Sequence, residues 1–178
     1  MEVLKGRGEQ NLVELTMEIG SILLTKAKIA QNKDEAVEMM VEAINSGKAL
    51  NKLRELIICQ GGNSQCIDDY SILPSSKFVV PIKATKAGFV NKIKTYEIAV
   101  GCKNIGGGRE KKNDSIDLSA GIVLKKKVGD EVNIGDTLFE IYSNDEKKIE
   151  DNMEMFNSVF IIEEMPPKPV PLIYKVIE

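Results

Sequence analysis

The stretch "IDLSAGIVLKKKVGDEVNIGDTLFEI", residues 116–141, decides the fold class. Ile116, Leu118, Ala120, Ile122 and Leu124 recur at every second position over nine residues, the period of a half-buried strand. Two Gly-Asp turns follow, and their spacing pairs Val132 with Leu138 across a tight connection. Towards the N-terminus, Phe78, Val80, Ile82 and Ala84 also alternate, and Ala87-Gly88 bends the chain into a second strand from Phe89 to Ile93. Thr95 is placed to cap a short helix reaching about Lys103. Towards the C-terminus, Ser143 or Asn144 is expected to cap an acidic helix carrying Ile149, Met153 and Phe156 on one face. "VFIIEE" (159–164) reads as another strand, and "PPKPVP" (166–171) as extended chain, because proline fixes φ and lacks an N–H. "LIYKVI" (172–177) closes the chain as a strand.

The first third follows a different period. Asn11 and Glu14 have the spacing of a capping box. Leu12, Leu15, Ile19, Ile22 and Leu23 then recur with helical spacing, and Val13, Met17 and Leu24 widen the apolar face until packing on more than one side is expected. A second helix is expected from about Asp34 to Ser46-Gly47, and a third from about Lys48 to Gln60, ended by Gly61-Gly62. These patterns divide the chain into a helical segment, 1–62, a polar connection, 63–77, and a β-rich domain, 78–178. Helices followed by strands make the class α+β.

Composition narrows the chemistry. The chain has 178 residues, 43% of them hydrophobic and 29% charged, with a formal net charge of -3, as in an ordinary globular protein. A nucleic-acid partner is not expected from that balance, and no stretch has the length of a membrane span. Charge is segregated nonetheless: residues 103–127 carry seven basic and three acidic side chains, residues 128–178 four basic and twelve acidic. Cys59, Cys66 and Cys102 lack metal-site spacing and read as reduced cytosolic thiols. The chain contains no histidine, so no Ser-His or Cys-His pair can form, and neither a cofactor nor a metal site is implied.

The basic stretch contains the most conspicuous loop, "IGGGREKKNDSID", residues 105–117. Gly101 and Gly106 have the outer spacing of a P-loop, but Gly107 and Gly108 stand where Lys and Ser/Thr are required. Counted from Gly106 and Gly108, the third glycine of a dinucleotide fingerprint falls on Lys111. Two readings stay open: a flexible loop that attracts anions, or a plain mobile connection. The double Gly-Asp hairpin looks like the turn of biotinyl and lipoyl carrier domains. Lys147 and Lys148, however, lack the Met-Lys-Met or Asp-Lys-Ala setting of a modified lysine, so the barrel-like fold is carried over and the carrier function is not.

Four blocks in order are more specific: "LKGRGEQNLVELTMEIGSILL", "INSGKALNKLRELIICQGGN", "IGGGREKKNDSIDLSAGIVLKKKVGDEVNIGDTL" and "PLIYKVI". Together they resemble the C-terminal part of the pyrimidine-nucleoside (thymidine) phosphorylases, with the weakest similarity around residues 143–165. The resemblance implies cytoplasmic homodimers that cleave a pyrimidine nucleoside with phosphate to free base and pentose 1-phosphate. It implies that this chain keeps three helices from the large α/β domain and a C-terminal domain of hammerhead or barrel-sandwich type. The family's phosphate-binding loops, its base-holding residues and its cation site precede the matching part. No catalytic residue therefore carries over, and the chain is expected to be inactive without the N-terminal portion of the phosphorylase.

By the same resemblance the glycine loop lies near the substrate cleft and orders on closure, which makes Gly106, Gly107, Gly108, Arg109 and Lys111 candidate closure residues. Where Lys125 stands, family members often have His. The alternatives are a non-catalytic binding or regulatory module on the same fold, or part of a related nucleotide phosphorylase.

Overall fold

A computed structural model describes residues 1–177, which divide into two compact units. One comprises Met1–Ile72 and the chain from Val170 onward, the other Leu73–Pro169.

The first unit is built from helices α1 (Gln10–Lys26), α2 (Lys33–Asn45) and α3 (Lys48–Cys59). The expected capping box at Asn11 does not form, because the helix has already begun there. Glu9 is the cap, and its carboxylate accepts the Leu12 N–H at 3.0 Å, a negative charge at the positive end of the helix dipole. The reciprocal arrangement occurs instead at α2. Asn32 accepts the Glu35 N–H at 2.9 Å, while the Glu35 carboxylate accepts the Gln31 N–H at 2.7 Å.

Two 3-10 turns, Ser64–Ile67 and Tyr70–Ile72, follow α3. Arg54 on α3 donates to both carboxylate oxygens of Asp68, at 3.0 and 3.2 Å, and so ties these turns back to the helix. Few side chains are fully enclosed in this unit: Ser21, Ala30, Ala36, Cys66 and Ile67 are buried. Leu12, Ile19 and Leu23 instead form an exposed stripe along α1.

The terminal "LIYKVI" belongs to this unit and forms no strand, contrary to the expectation from its composition. A strand requires a neighbouring edge, and among the described residues this unit contains none.

The second unit contains six strands: β1 (Phe78–Lys83), β2 (Gly88–Ile93), β3 (Gly121–Leu124), β4 (Glu131–Val132), β5 (Thr137–Ser143) and β6 (Phe160–Glu163). They form two antiparallel three-stranded sheets, ordered β1-β5-β3 and β4-β2-β6, rather than a closed barrel. The mixed helix-and-sheet class is as expected.

The pairing of Val132 with Leu138 is not. Val132 pairs with Gly88 in one sheet, while Leu138 lies on β5 in the other. Each Gly-Asp turn bonds to a different segment. Gly129 N–H donates to Val90 O at 2.8 Å and Asp130 O accepts from Val90 N–H at 2.9 Å. Gly135 N–H donates to Ala84 O at 2.8 Å, and Asp136 O accepts from Ala84 N–H at 2.8 Å. The two turns are thus equivalent clips on two sheets, which local alternation does not reveal.

The long strand expected from Ile116 shrinks to Gly121–Leu124. Asp117 and Ser119 use their side chains to satisfy local donors, and Ala120 N–H closes a turn onto Asp117 O at 3.1 Å, which removes these residues from any ladder. Helix α4 (Thr95–Cys102) follows β2, and α5 (Glu146–Asp151) and α6 (Met153–Asn157) follow β5. Phe139 sits at the centre of the core, stacked on Phe160 at 5.6 Å and edge-on to Phe156 at 6.0 Å. Val90, Ile105, Ile141 and Ile149 belong to the buried cluster around it.

Candidate functional site

The glycine loop leaves the end of α4. Lys103–Gly107 continues as a widened π-type turn, broken at Gly106 by φ 111°, a conformation that a side chain would strain. A Cβ on Gly107 would lie 2.8 Å from Cys102 Sγ and 3.0 Å from Cys102 O, so backbone runs directly over this residue. The glycines therefore have a static steric reason for being there, independent of any motion. Burial pushes the Cys102 thiol up from its ordinary range, so it stays protonated and is not an activated nucleophile.

The two ends of the loop are held by a polar network. Asp117 N–H donates to Gly106 O at 2.9 Å. The Asp117 carboxylate accepts from the Ser119 N–H at 2.9 Å, the Ser119 hydroxyl at 2.7 Å and the Asn144 amide at 2.8 Å. These donors, the Ser119 hydroxyl first, hold the Asp117 carboxyl below its usual range. Asn144 also accepts the Lys77 N–H at 2.9 Å, and buried Ser143 donates its hydroxyl to Ile105 O at 2.9 Å. Neither Ser143 nor Asn144, the two expected caps, caps α5; Asp145 does, accepting the Lys148 N–H at 3.2 Å. A hydroxyl and an amide that look like caps in sequence instead anchor a loop that is remote along the chain.

Between these ends the tip is tied more locally. Asp114 accepts the N–H groups of Glu110 and Lys111 at 3.2 and 2.8 Å. The Arg109 guanidinium makes one long contact, 3.4 Å, to Lys112 O. Beneath lies an open polar recess of about 570 Å³, lined among others by Gly106, Gly108, Lys103, Lys148 and Asp151.

The five candidate loop residues are thus only partly brought together: Gly106 and Gly108 line the recess, Gly107 packs on Cys102, and Arg109 and Lys111 are not among the lining residues. The cations at the recess are Lys103 and Lys148, and Lys103 is already paired with Glu110 at 2.8 Å. Asn104 and Asn152, joined amide to amide at 2.7 Å, were not singled out by sequence, since isolated asparagines 48 positions apart carry no spacing signal. Lys125, where the resemblance suggests His, is engaged by Glu140 at 2.9 Å, and the Tyr142 hydroxyl donates to the same carboxylate at 2.7 Å. Among the described residues no group of three His, Cys, Asp or Glu side chains could hold a metal ion, and no helix is long and apolar enough to cross a membrane.

Residues 89–163, the run from β2 to β6 that contains this loop and recess, match the family model of the pyrimidine nucleoside phosphorylase C-terminal domain. The chain is 40% identical over 177 residues to the pyrimidine-nucleoside phosphorylase of Staphylococcus epidermidis (strain ATCC 12228 / FDA PCI 1200). Residues 89–163 are thus similar to the C-terminal domain of the pyrimidine nucleoside phosphorylases, and nearly the whole chain is similar to part of such an enzyme. Similarity to the pyrimidine-nucleoside phosphorylase of Staphylococcus aureus (strain USA300) is comparable, 38% over 177 residues. Each alignment takes in 99% of this chain and 40% of the relative, so the chain spans two fifths of the length of these phosphorylases.

Proposed function

We propose that this chain is a C-terminal fragment of an enzyme that converts a pyrimidine nucleoside and phosphate to free base and pentose 1-phosphate. The observation that carries the reading is the 40% identity to a pyrimidine-nucleoside phosphorylase, sustained over 177 residues rather than confined to one motif. Residues 1–62 would cover the sheet of a large α/β domain, residues 63–77 would connect, and the expected span 78–178, less the chain from Val170 that groups with the helices, would form the hammerhead or barrel-sandwich-like domain. The two clips at Ala84 and Val90 support that last assignment, since they tie into two sheets between which successive strands alternate. The complete enzyme would be a cytoplasmic homodimer without a cofactor.

In this reading the fragment contributes structure and cleft closure and is inactive alone. Phosphorolysis requires preorganised groups that hold phosphate and stabilise developing charge. The recess offers a weak substitute, because Lys103 is neutralised by Glu110, and Asp151 lies on the same wall as Lys148. Closure is assigned to Gly106, Gly107, Gly108, Arg109 and Lys111. Its support is mechanical: the ends of the loop are pinned through Ile105, Gly106 and Asp117, while the tip is held mainly by its own Asp114 turn. Arg109 can then swing toward phosphate with little to break.

The test is uridine and thymidine phosphorolysis, read as phosphate-dependent release of base. The full chain is assayed alone and after coexpression with the part of the Staphylococcus epidermidis phosphorylase that precedes the matched region. The expected result is no release alone and release from the mixture. Turnover by the chain alone would sink the fragment reading.

A further inference from the structure

The terminal segment has the composition of a strand and the surroundings of none. Residues 172–177, Leu-Ile-Tyr-Lys-Val-Ile, are β-branched, aromatic or aliphatic at five of six positions. Among the described residues no hydrogen bond or ion pair engages any of residues 166–177, so this backbone leaves its N–H and C=O groups to solvent. Its apolar side chains are also uncovered: Tyr174 is 80% and Ile177 86% exposed. Four prolines, at 166, 167, 169 and 171, stand between β6 and this segment, and each lacks the N–H needed to extend a ladder. The chain cannot therefore simply continue its own β6-containing sheet into the terminus.

Two further observations narrow the partner. Val176 and Ile177 line a recess of about 250 Å³ with Ser21, Ile22 and Thr25 of α1, the helix that carries the exposed Leu12, Ile19 and Leu23 stripe. The uncovered tail and the uncovered helix thus belong to one unit. In addition, the alignment with the longer phosphorylase omits only one residue of this chain while three fifths of that relative lies outside it. The tail is shared sequence, and most of the relative is available to cover it.

We propose that residues 172–177 are a strand in waiting, which pairs by β-addition with a sheet edge in the part of the phosphorylase that this chain does not span. The inference rests on the fragment reading above and deepens it, naming the backbone of the tail as a docking element. Main-chain hydrogen bonds would supply the attachment, and alternate side chains, Leu172, Tyr174 and Val176 against Ile173 and Ile177, would choose the face.

Amide hydrogen exchange tests it on the proteins as they exist. In this chain alone, amides 172–177 should exchange at unprotected rates at every protein concentration. In the whole Staphylococcus epidermidis phosphorylase the matching segment should exchange at least a hundredfold more slowly. In the coexpressed complex, Tyr174→Pro and Lys175→Pro together sample both hydrogen-bonding edges of the strand. At least one should weaken association tenfold or more, whereas Lys175→Ala should leave it unchanged.

Fast exchange in the whole relative overturns the strand assignment whatever the phosphorolysis assay shows. Protection that appears in this chain alone as its concentration rises assigns the segment to self-pairing and overturns it too. Slow exchange in the relative, with no turnover from the mixture, upholds the strand and removes the functional reading of this chain.

Discussion

The β-rich unit and the helical unit use their apolar side chains differently. Around Phe139, Phe156, Ile141 and Val90 the two sheets and their short helices enclose a core whose members are fully buried. In the helical unit, Leu12, Ile19 and Leu23 are at least half exposed, and what is buried is small: Ser21, Ala30 and Ala36 beside Cys66 and Ile67. The β-rich unit closes around its own core. The helical unit leaves the apolar stripe of α1 uncovered, in a chain that spans two fifths of its relatives' length.

That contrast can be broken most directly in the closed core. Phe156→Ala should destabilise the β-rich unit by about 3–5 kcal/mol, since it removes a fully buried ring and leaves a cavity beside Phe139. Denaturant titration followed by near-ultraviolet dichroism would measure it, and a loss below about 1 kcal/mol would mean that the core is looser than described.

A smaller effect is expected at the loop anchor. The folded-state pKa of Asp117 is depressed, so its contribution is fully present above the unfolded value, near pH 4, and is lost as pH falls through the lower folded value. Asp117→Asn should therefore lower the thermal midpoint at neutral pH and flatten its decline below pH 4. An unchanged acid limb would show that the network around Ser119 and Asn144 does not depend on the charge.

The smallest effect belongs to the open face. Leu23→Gln should change the stability of this chain by no more than about 0.5 kcal/mol, because the side chain is 63% exposed. The same change in the complex with the N-terminal portion should cost much more. If the isolated chain loses stability comparable with Phe156→Ala, the stripe is already covered and the contrast between the units fails.

Much of this was readable from residue order. The three helices lie close to the expected places, the Ser46-Gly47 stop ends α2, β1 falls on its alternating run, and β2 and β6 fall within the expected strands. The two strands that failed to appear as expected share one cause. Alternation identifies residues that would suit a strand, but a strand exists only where a partner edge satisfies its backbone. Ile116 and Leu118 alternate, yet Asp117 and Ser119 draw their segment into a turn, and "LIYKVI" suits a strand but finds no edge among the described residues of its unit. The site was less legible than the fold. Its glycines are conspicuous in sequence, but Asn144 and Ser143 act on residues 27 and 38 positions away and leave no local signature.

By itself the sequence determined the class, the helical and β-rich division, and a chemistry without histidine. Those follow from composition and periodicity, which are properties of neighbours along the chain. Tertiary structure alone decided that Val132 and Leu138 belong to different sheets, that Gly107 is a packing requirement, and that residues 172–177 have no strand edge among the described residues of their unit. Hydrogen-bond partners and van der Waals clearances are set by residues distant in the chain, and no local period encodes them.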